Sequence, residues 1–225
     1  MKFNGKYWND YSSYIKRVFG KRVQKISVNA GFSCPNKTKS NLKYGCLYCN
    51  NQSFSPFYCN ADISIKEQLV KGIEFFGEKY QSQQYLAYFQ TGTNTYADVE
   101  LLENYYYQAL DVKNVIGLVI GTRPDCLNNK NIALLSNIAR KYYLSLEIGA
   151  ESTKNKTLEL INRGHTWQQT VNAVKLANTY DINVCLHFII GLPGENEEDF
   201  YMHAREISKL KINSLKLHQM QILKG

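Results

Sequence analysis

The stretch VIGLVIGTRPDCLNNKNIALLSNIARKYYLSLEIGAES, residues 115–152, sets two apolar runs around one helical segment. The runs at 115–125 and 143–152 are too continuously apolar for strands wet on one face, and residues 129–142 carry apolar side chains at helical spacing. A strand, a helix and a second strand buried on both faces make the parallel βαβ unit.

The pattern extends in both directions. Residues 23–31, 85–92, 183–194 and 214–222 read as four more strands, and 64–80, 97–111, 153–164, 167–180 and 196–210 as helices. Ser64 with Glu67, and Thr166 with Gln169, have the spacing of capping boxes. Six βα steps predict an α/β fold, either an open doubly wound sheet or an incomplete barrel, and periodicity leaves both open. In both, the loops at the C-terminal ends of the strands build the site. Every unusual segment falls there: the cysteines follow the first strand, QTGTNTY the second, GTRPD the third, GAES the fourth and GLPGE the fifth.

With 225 residues and 44% hydrophobic content, the chain can bury a core of its own. No Pro-, Gly- or Ser-rich linker divides it, which predicts one core domain over 23–225 behind a basic extension, 1–22. The start is too polar for a signal peptide and no run approaches a membrane span, so a cytoplasmic protein is expected. The net charge of +8 is uneven, because residues 1–45 hold ten Lys or Arg against Asp10 alone. Such a footprint would suit a phosphate backbone, and equally a solvated surface.

Three of the six cysteines cluster as Cys34-x11-Cys46-x2-Cys49, on a loop containing Pro35, Asn36, Gly45 and Asn50. Without an export signal, such thiols suggest metal rather than disulfides. Cys59, ten residues past Cys49, makes a closed four-cysteine zinc site arithmetically open, as in a non-catalytic RNA-binding module. Three cysteines alone suit a 4Fe-4S cluster that leaves one iron free.

The motifs VNAGFSCPN, CLYC, YFQTGTNTYA, GTRPDCL, LEIGAES, INRGHT and CLHFIIGLPGE, in this order, resemble the radical S-adenosylmethionine (radical SAM) superfamily. They are most similar to its YhcC/YtqA-like branch, a relative of the radical domain of the Elongator catalytic subunit. The likeness runs from Val23 to Gly225. Departures are the long first cysteine spacer, Gly92 at an expected aromatic position, and GAES in place of the usual Leu-Gln pairing. Members of that branch continue past Gly225, which implies a short or truncated member here.

The resemblance implies a partial (β/α)6 TIM-like barrel, a 4Fe-4S cluster on Cys34, Cys46 and Cys49, and S-adenosylmethionine chelating the fourth iron. Reductive cleavage would give a 5′-deoxyadenosyl radical, with flavodoxin or ferredoxin as a type of electron donor. Gln90, Thr91 and Gly92 would face the methionine amino group and Arg163 its carboxylate. Glu151 and His187 would face the ribose, and GLPG and Tyr48 the adenine. Arg123 and Asp125 would contact cofactor or substrate, or pair structurally at the strand end. Glu147, odd in an apolar run, is expected to serve cofactor binding, and Lys216 and His218 could point inward. Cys59, Cys126 and Cys185 read as buried thiols, and Tyr105–Tyr107 as packing residues. The substrate is open, with tRNA suggested by the Elongator kinship and the basic N-terminal third.

Overall fold

The computed structural model describes residues 7–38, 45–50, 55–77 and 83–222. Lys39 and Lys43, part of the basic third, lie outside the described residues, as does the end of the helix expected over 64–80.

Six strands, β1 (Val23–Val28), β2 (Gln84–Phe89), β3 (Val115–Thr122), β4 (Tyr143–Glu151), β5 (Asn183–Ile190) and β6 (Ser214–Gln219), form one sheet. All neighbours are parallel and the spatial order repeats the chain order. Among the described residues no pairing joins β6 back to β1, so the sheet is a half-barrel rather than a closed one.

Helices α3 (Ile65–Gly77), α4 (Val99–Leu110), α5 (Asn129–Ala139), α7 (Trp167–Thr179) and α8 (Glu197–Ser208) cover the convex face. Ile26, Phe89, Leu118, Leu146 and Leu186 from the strands meet Leu69, Tyr106, Leu135 and Val174 from the helices in one core. The period of two in the strands explains the other face: Lys25 and Ser27 in β1, Tyr88 in β2 and Glu147 in β4 alternate with those core residues and turn inward.

The helix starts follow the expected chemistry. Ser64 and Glu67 bond reciprocally, as do Thr166 and Gln169. Two further capping boxes, Asn128 with Asn131 and Asn196 with Asp199, use an amide or a short acid at the third position. The helix expected over 153–164 is only α6 (Asn155–Leu160). Asn162 at φ 53° and Gly164 at φ 75° take the left-handed backbone that ends it. β3 stops at Thr122 because Pro124, which lacks an N–H, opens a single 3-10 turn through Cys126.

The segment read as a basic extension contains α1 (Tyr11–Phe19), capped by Asp10, whose carboxylate accepts from the Ser13 N–H at 2.9 Å. Its Ile15 joins Leu86, Tyr88 and Val119 in a second apolar cluster, with Phe19, Ile116 and Tyr143 beside it. Ile116 and Tyr143 lie at the N-terminal ends of β3 and β4, and Leu86, Val119 and Tyr88 successively further in, so α1 plugs the lower end of the concave face. The Ile15 side chain is buried, and Ile15→Ala should cost about 2–4 kcal/mol in denaturant unfolding; a loss below about 1 kcal/mol would mean that α1 is not docked.

Candidate cofactor and active site

The upper ends of the strands enclose a cavity of about 280 Å³. Cys34, Cys46, Tyr48 and Cys49 reach it from the loop after β1, and Gln90, Thr91 and Gly92 from the loop after β2. Arg123 comes from the end of β3, Glu147 and Glu151 from β4, and Arg163 from the turn after α6. His187 of β5 and Lys216 and His218 of β6 close the wall. Asp125 stands behind Arg123 rather than in the lining.

The three cysteines differ in setting: Cys46 is buried, Cys34 half-buried and Cys49 exposed. Although its residue is exposed, partial desolvation at the cavity rim raises the Cys49 thiol against the pull of Lys37. Their sulfurs are not gathered as a single ion needs: the one His, Cys, Asp or Glu set within 4.8 Å among the described residues is Glu147, Cys185 and His187. A tetrahedral zinc would hold sulfurs roughly 3.8 Å apart, given its usual Zn–S bond of about 2.3 Å. A 4Fe-4S cluster, which would take each cysteine on a different iron, does not require the three sulfurs to meet around one ion. Cys59 turns away, donating its S–H to the Ser27 carbonyl at 2.9 Å, and burial pushes its thiol up to about 12. The Cys126 and Cys185 thiols are likewise buried and pushed up, to about 12 and about 11.

Arg163 is anchored on several sides. Its Nη2 donates to the Gly149 carbonyl at 2.7 Å and stands 3.2 Å from Glu151, while Nη1 approaches the Cys46 sulfur at 3.5 Å. Burial opposes its charge, but the Glu151 carboxylate beside it keeps the guanidinium protonated. Glu151 gains this position through an irregular end to β4. The register with β5 shifts between Gly149 and Glu151, and Glu151 adopts φ 67°, an uncommon backbone for a residue with a side chain. Two buried polar atoms here, the Tyr48 hydroxyl and Arg163 Nε, have no hydrogen-bond partner among the described residues. Orphaned donors beside three thiols fit an electron-rich group, such as a sulfide cluster with a chelating carboxylate.

Arg123 and Asp125 form a bidentate pair, Nε and Nη2 donating to the carboxylate at 2.9 and 3.0 Å. The remaining Nη1 donates to the Arg163 carbonyl at 2.7 Å. The pair thus props the turn that carries Arg163. Gly92 lies at φ 80°, and a Cβ there would stand 2.4 Å from the Phe32 carbonyl, so the second loop closes tightly against the first. The GLPGE turn is fastened to the segment just after β4 through Glu195, which accepts from the Ser152 hydroxyl, and through His203, which faces Glu195 at 3.3 Å and Thr153 at 2.7 Å.

Glu147 is the hub of the floor. It accepts from Lys25 at 2.5 Å, from the Tyr88 hydroxyl at 2.7 Å and from Lys216 at 3.5 Å, and meets His187 Nε2 at 2.7 Å. Burial opposes its ionisation, yet the bond to His187 and the charges of Lys25 and Lys216 hold its carboxyl far below the usual range. Lys25 also lies over the rings of Tyr11, at 4.5 Å, and Tyr88, at 5.0 Å. The Glu147, Cys185 and His187 donor set is therefore already an ion-pair centre, with two ammonium groups where a metal ion would be repelled. Lys25 and Tyr88 were not singled out in the sequence, although a lysine alternating with Ile26 and Val28 marks an inward position. Asn36 stands out in the sequence only as a turn-forming residue of the cysteine loop, which says nothing of its contact with Cys46.

The sequence profile of the Radical SAM superfamily matches residues 41–207. An uncharacterized protein of Methanocaldococcus jannaschii is 38% identical over 96% of this chain and 66% of its own length. Protein YhcC of Escherichia coli is 35% identical over 96% of this chain and 69% of its own. The chain thus spans about two-thirds of these relatives. The archaeal Methanocaldococcus infernus Elp3 structure superposes with a TM-score of 0.67 at 19% identity, covering 90% of this chain and 47% of that one, a likeness of fold.

Removing the hub carboxylate should be costly, because it leaves two lysines facing one another across a mostly buried site. Glu147→Gln is expected to lose about 3 kcal/mol at neutral pH. Since the folded carboxyl titrates below its unfolded value of about 4.3, this stabilisation is complete above that pH. It should erode only as pH falls towards the lower folded value. Thermal unfolding of both proteins from pH 7 to pH 3 measures this, and equal stability at pH 7 would remove Glu147 as the hub.

Proposed function

Because the chain belongs to the radical SAM superfamily, whose cofactors are a 4Fe-4S cluster and S-adenosylmethionine, we propose that it is an enzyme that cleaves S-adenosylmethionine reductively. The observation that carries this is the meeting of Cys34, Cys46 and Cys49 with orphaned donors of Tyr48 and Arg163 in one strand-end cavity. The chemistry these cofactors would supply there is a 5′-deoxyadenosyl radical able to abstract hydrogen from a substrate.

In this reading the three cysteines hold three irons. Arg163 Nε is directed to the methionine carboxylate, while its other nitrogens keep it fixed. The Gln90–Gly92 backbone receives the amino group. Glu151 and His187 face the ribose, and Tyr48 the adenine edge. Arg123 and Asp125 act by holding the Arg163 turn rather than by touching the reacting atoms. The floor built on Glu147 gives a polar, ion-paired bottom to the substrate space, in which Glu147 itself is buried. A low-potential protein such as flavodoxin or ferredoxin would deliver the electron.

For the substrate, we propose RNA, with tRNA as the type. Support comes from Lys37 at the cavity and from the likeness of the sequence motifs to the radical domain of the Elongator catalytic subunit. Lys16, Arg17, Lys21 and Arg22 line no part of the cavity, and they flank or belong to the plug helix at its other end, so they could serve only a second contact. A small metabolite is the competing substrate.

Anaerobic reconstitution should give a brown protein with about four irons per chain. Each of Cys34→Ala, Cys46→Ala and Cys49→Ala should lose the colour and the cleavage of S-adenosylmethionine, and Cys59→Ala should keep both. A colourless protein with stoichiometric zinc would refute the reading. The substrate is tested separately by filter binding of bulk tRNA to the reconstituted protein. Affinity should fall steeply between about 50 and 200 mM salt, because phosphate contacts release counterions. Failure to bind at the lower salt would favour the metabolite.

A further inference from the structure

We infer that the side-chain amide of Asn36 tunes the cluster, donating an N–H to the Cys46 sulfur and so raising the cluster's reduction potential. This rests on Cys34, Cys46 and Cys49 being cluster ligands.

Asn36 sits in α2 (Pro35–Thr38), directly after Cys34, and is 2% exposed. A buried amide must place both of its N–H groups or pay the desolvation of the one left over. Here Nδ2 donates to the Asn162 carbonyl at 2.6 Å and to the Cys46 sulfur at 3.3 Å. The amide's orientation follows from these partners, since turning it over would set Oδ1 against a carbonyl and a sulfur, both acceptors. The opposing turn is shaped to admit it: a Cβ on Gly164 would lie 2.2 Å from Asn36 Oδ1. With Arg163 Nη1 at 3.5 Å, the Cys46 sulfur receives two N–H donors in a buried setting.

A clamp alone would not need this bond. The cysteine loop is already fastened to the same turn by Asn162 Nδ2 donating to the Gly45 carbonyl at 2.6 Å and by Leu47 N–H donating to the Ile161 carbonyl at 3.0 Å. The N–H directed at sulfur has an electronic effect instead. When the cluster takes one electron from a low-potential protein donor of the flavodoxin or ferredoxin class, negative charge on the thiolate sulfurs increases. A donor fixed on one of them stabilises the reduced state more than the oxidised one, and its proton stays on nitrogen throughout. Asn36 is thus a positioning and tuning residue rather than a catalytic one.

The test is a redox titration of the reconstituted full chain, followed by electron paramagnetic resonance, for wild type, Asn36→Leu and Asn36→Asp. Both variants, at wild-type iron content, should shift to lower potential, the aspartate further because it adds negative charge. Variants with full iron and an unchanged potential would overturn the inference while leaving the cluster reading intact. Should neither variant take up iron, the wild type labelled with 15N in its asparagine side-chain amides decides. A hyperfine coupling between that nitrogen and the reduced cluster supports the bond, and no coupling overturns it. A wild type that takes up no iron would defeat the cluster reading, and the inference with it.

Discussion

A single carboxylate, Glu147, makes a polar half-barrel interior tenable. Parallel strands bury both faces, and above the apolar cluster under α1 the concave face here carries lysines, histidines and a tyrosine. Charges in such a place are stable only when paired and hydrogen-bonded. Glu147 gathers partners from β1, β2, β5 and β6, so the sheet's curvature is tied across its hollow side as well as along its ladders. Below it, α1 excludes water with Ile15. Above it, the space stays open for chemistry.

The upper site follows a different logic, in which the functional groups hold one another in place. Arg123 is oriented by Asp125 and supports the Arg163 carbonyl. Arg163 in turn faces Glu151 and Cys46, and Asn36 ties Cys46 to Asn162. The loops after β1 and β3, the end of β4 and the turn after α6 thereby become one frame. Preorganisation of this kind suits a site that must confine a reactive species.

The six strands and most of the helices were legible because period two and period 3.6 differ plainly in runs such as 115–152, and because strand ends collected the unusual residues. The cavity likewise gathers the cysteines, Gln90–Gly92, Arg123, Glu147, Glu151, Arg163 and His187. What escaped was set by contacts across long sequence separations. Lys25 meets Glu147 at a separation of 122 residues, and no local pattern announces such a pair. The docking of α1 was hidden for a similar reason: its first turn is polar, and only the surface it covers makes Ile15 a core residue. The premature end of α6 turned on Asn162 in a left-handed backbone, which an apolar-period argument does not see.

The strand order also bears on assembly. Because order in space repeats order in the chain, each new strand can add to a finished edge as it emerges from synthesis, a topology of mostly near-neighbour closures. The hub breaks that rule, for its partners include the first strand and the last. Until β6 arrives, the floor is short of Lys216, so the complete sheet alone brings all the charges of the interior together. The hub thus couples completion of the sheet to completion of the site.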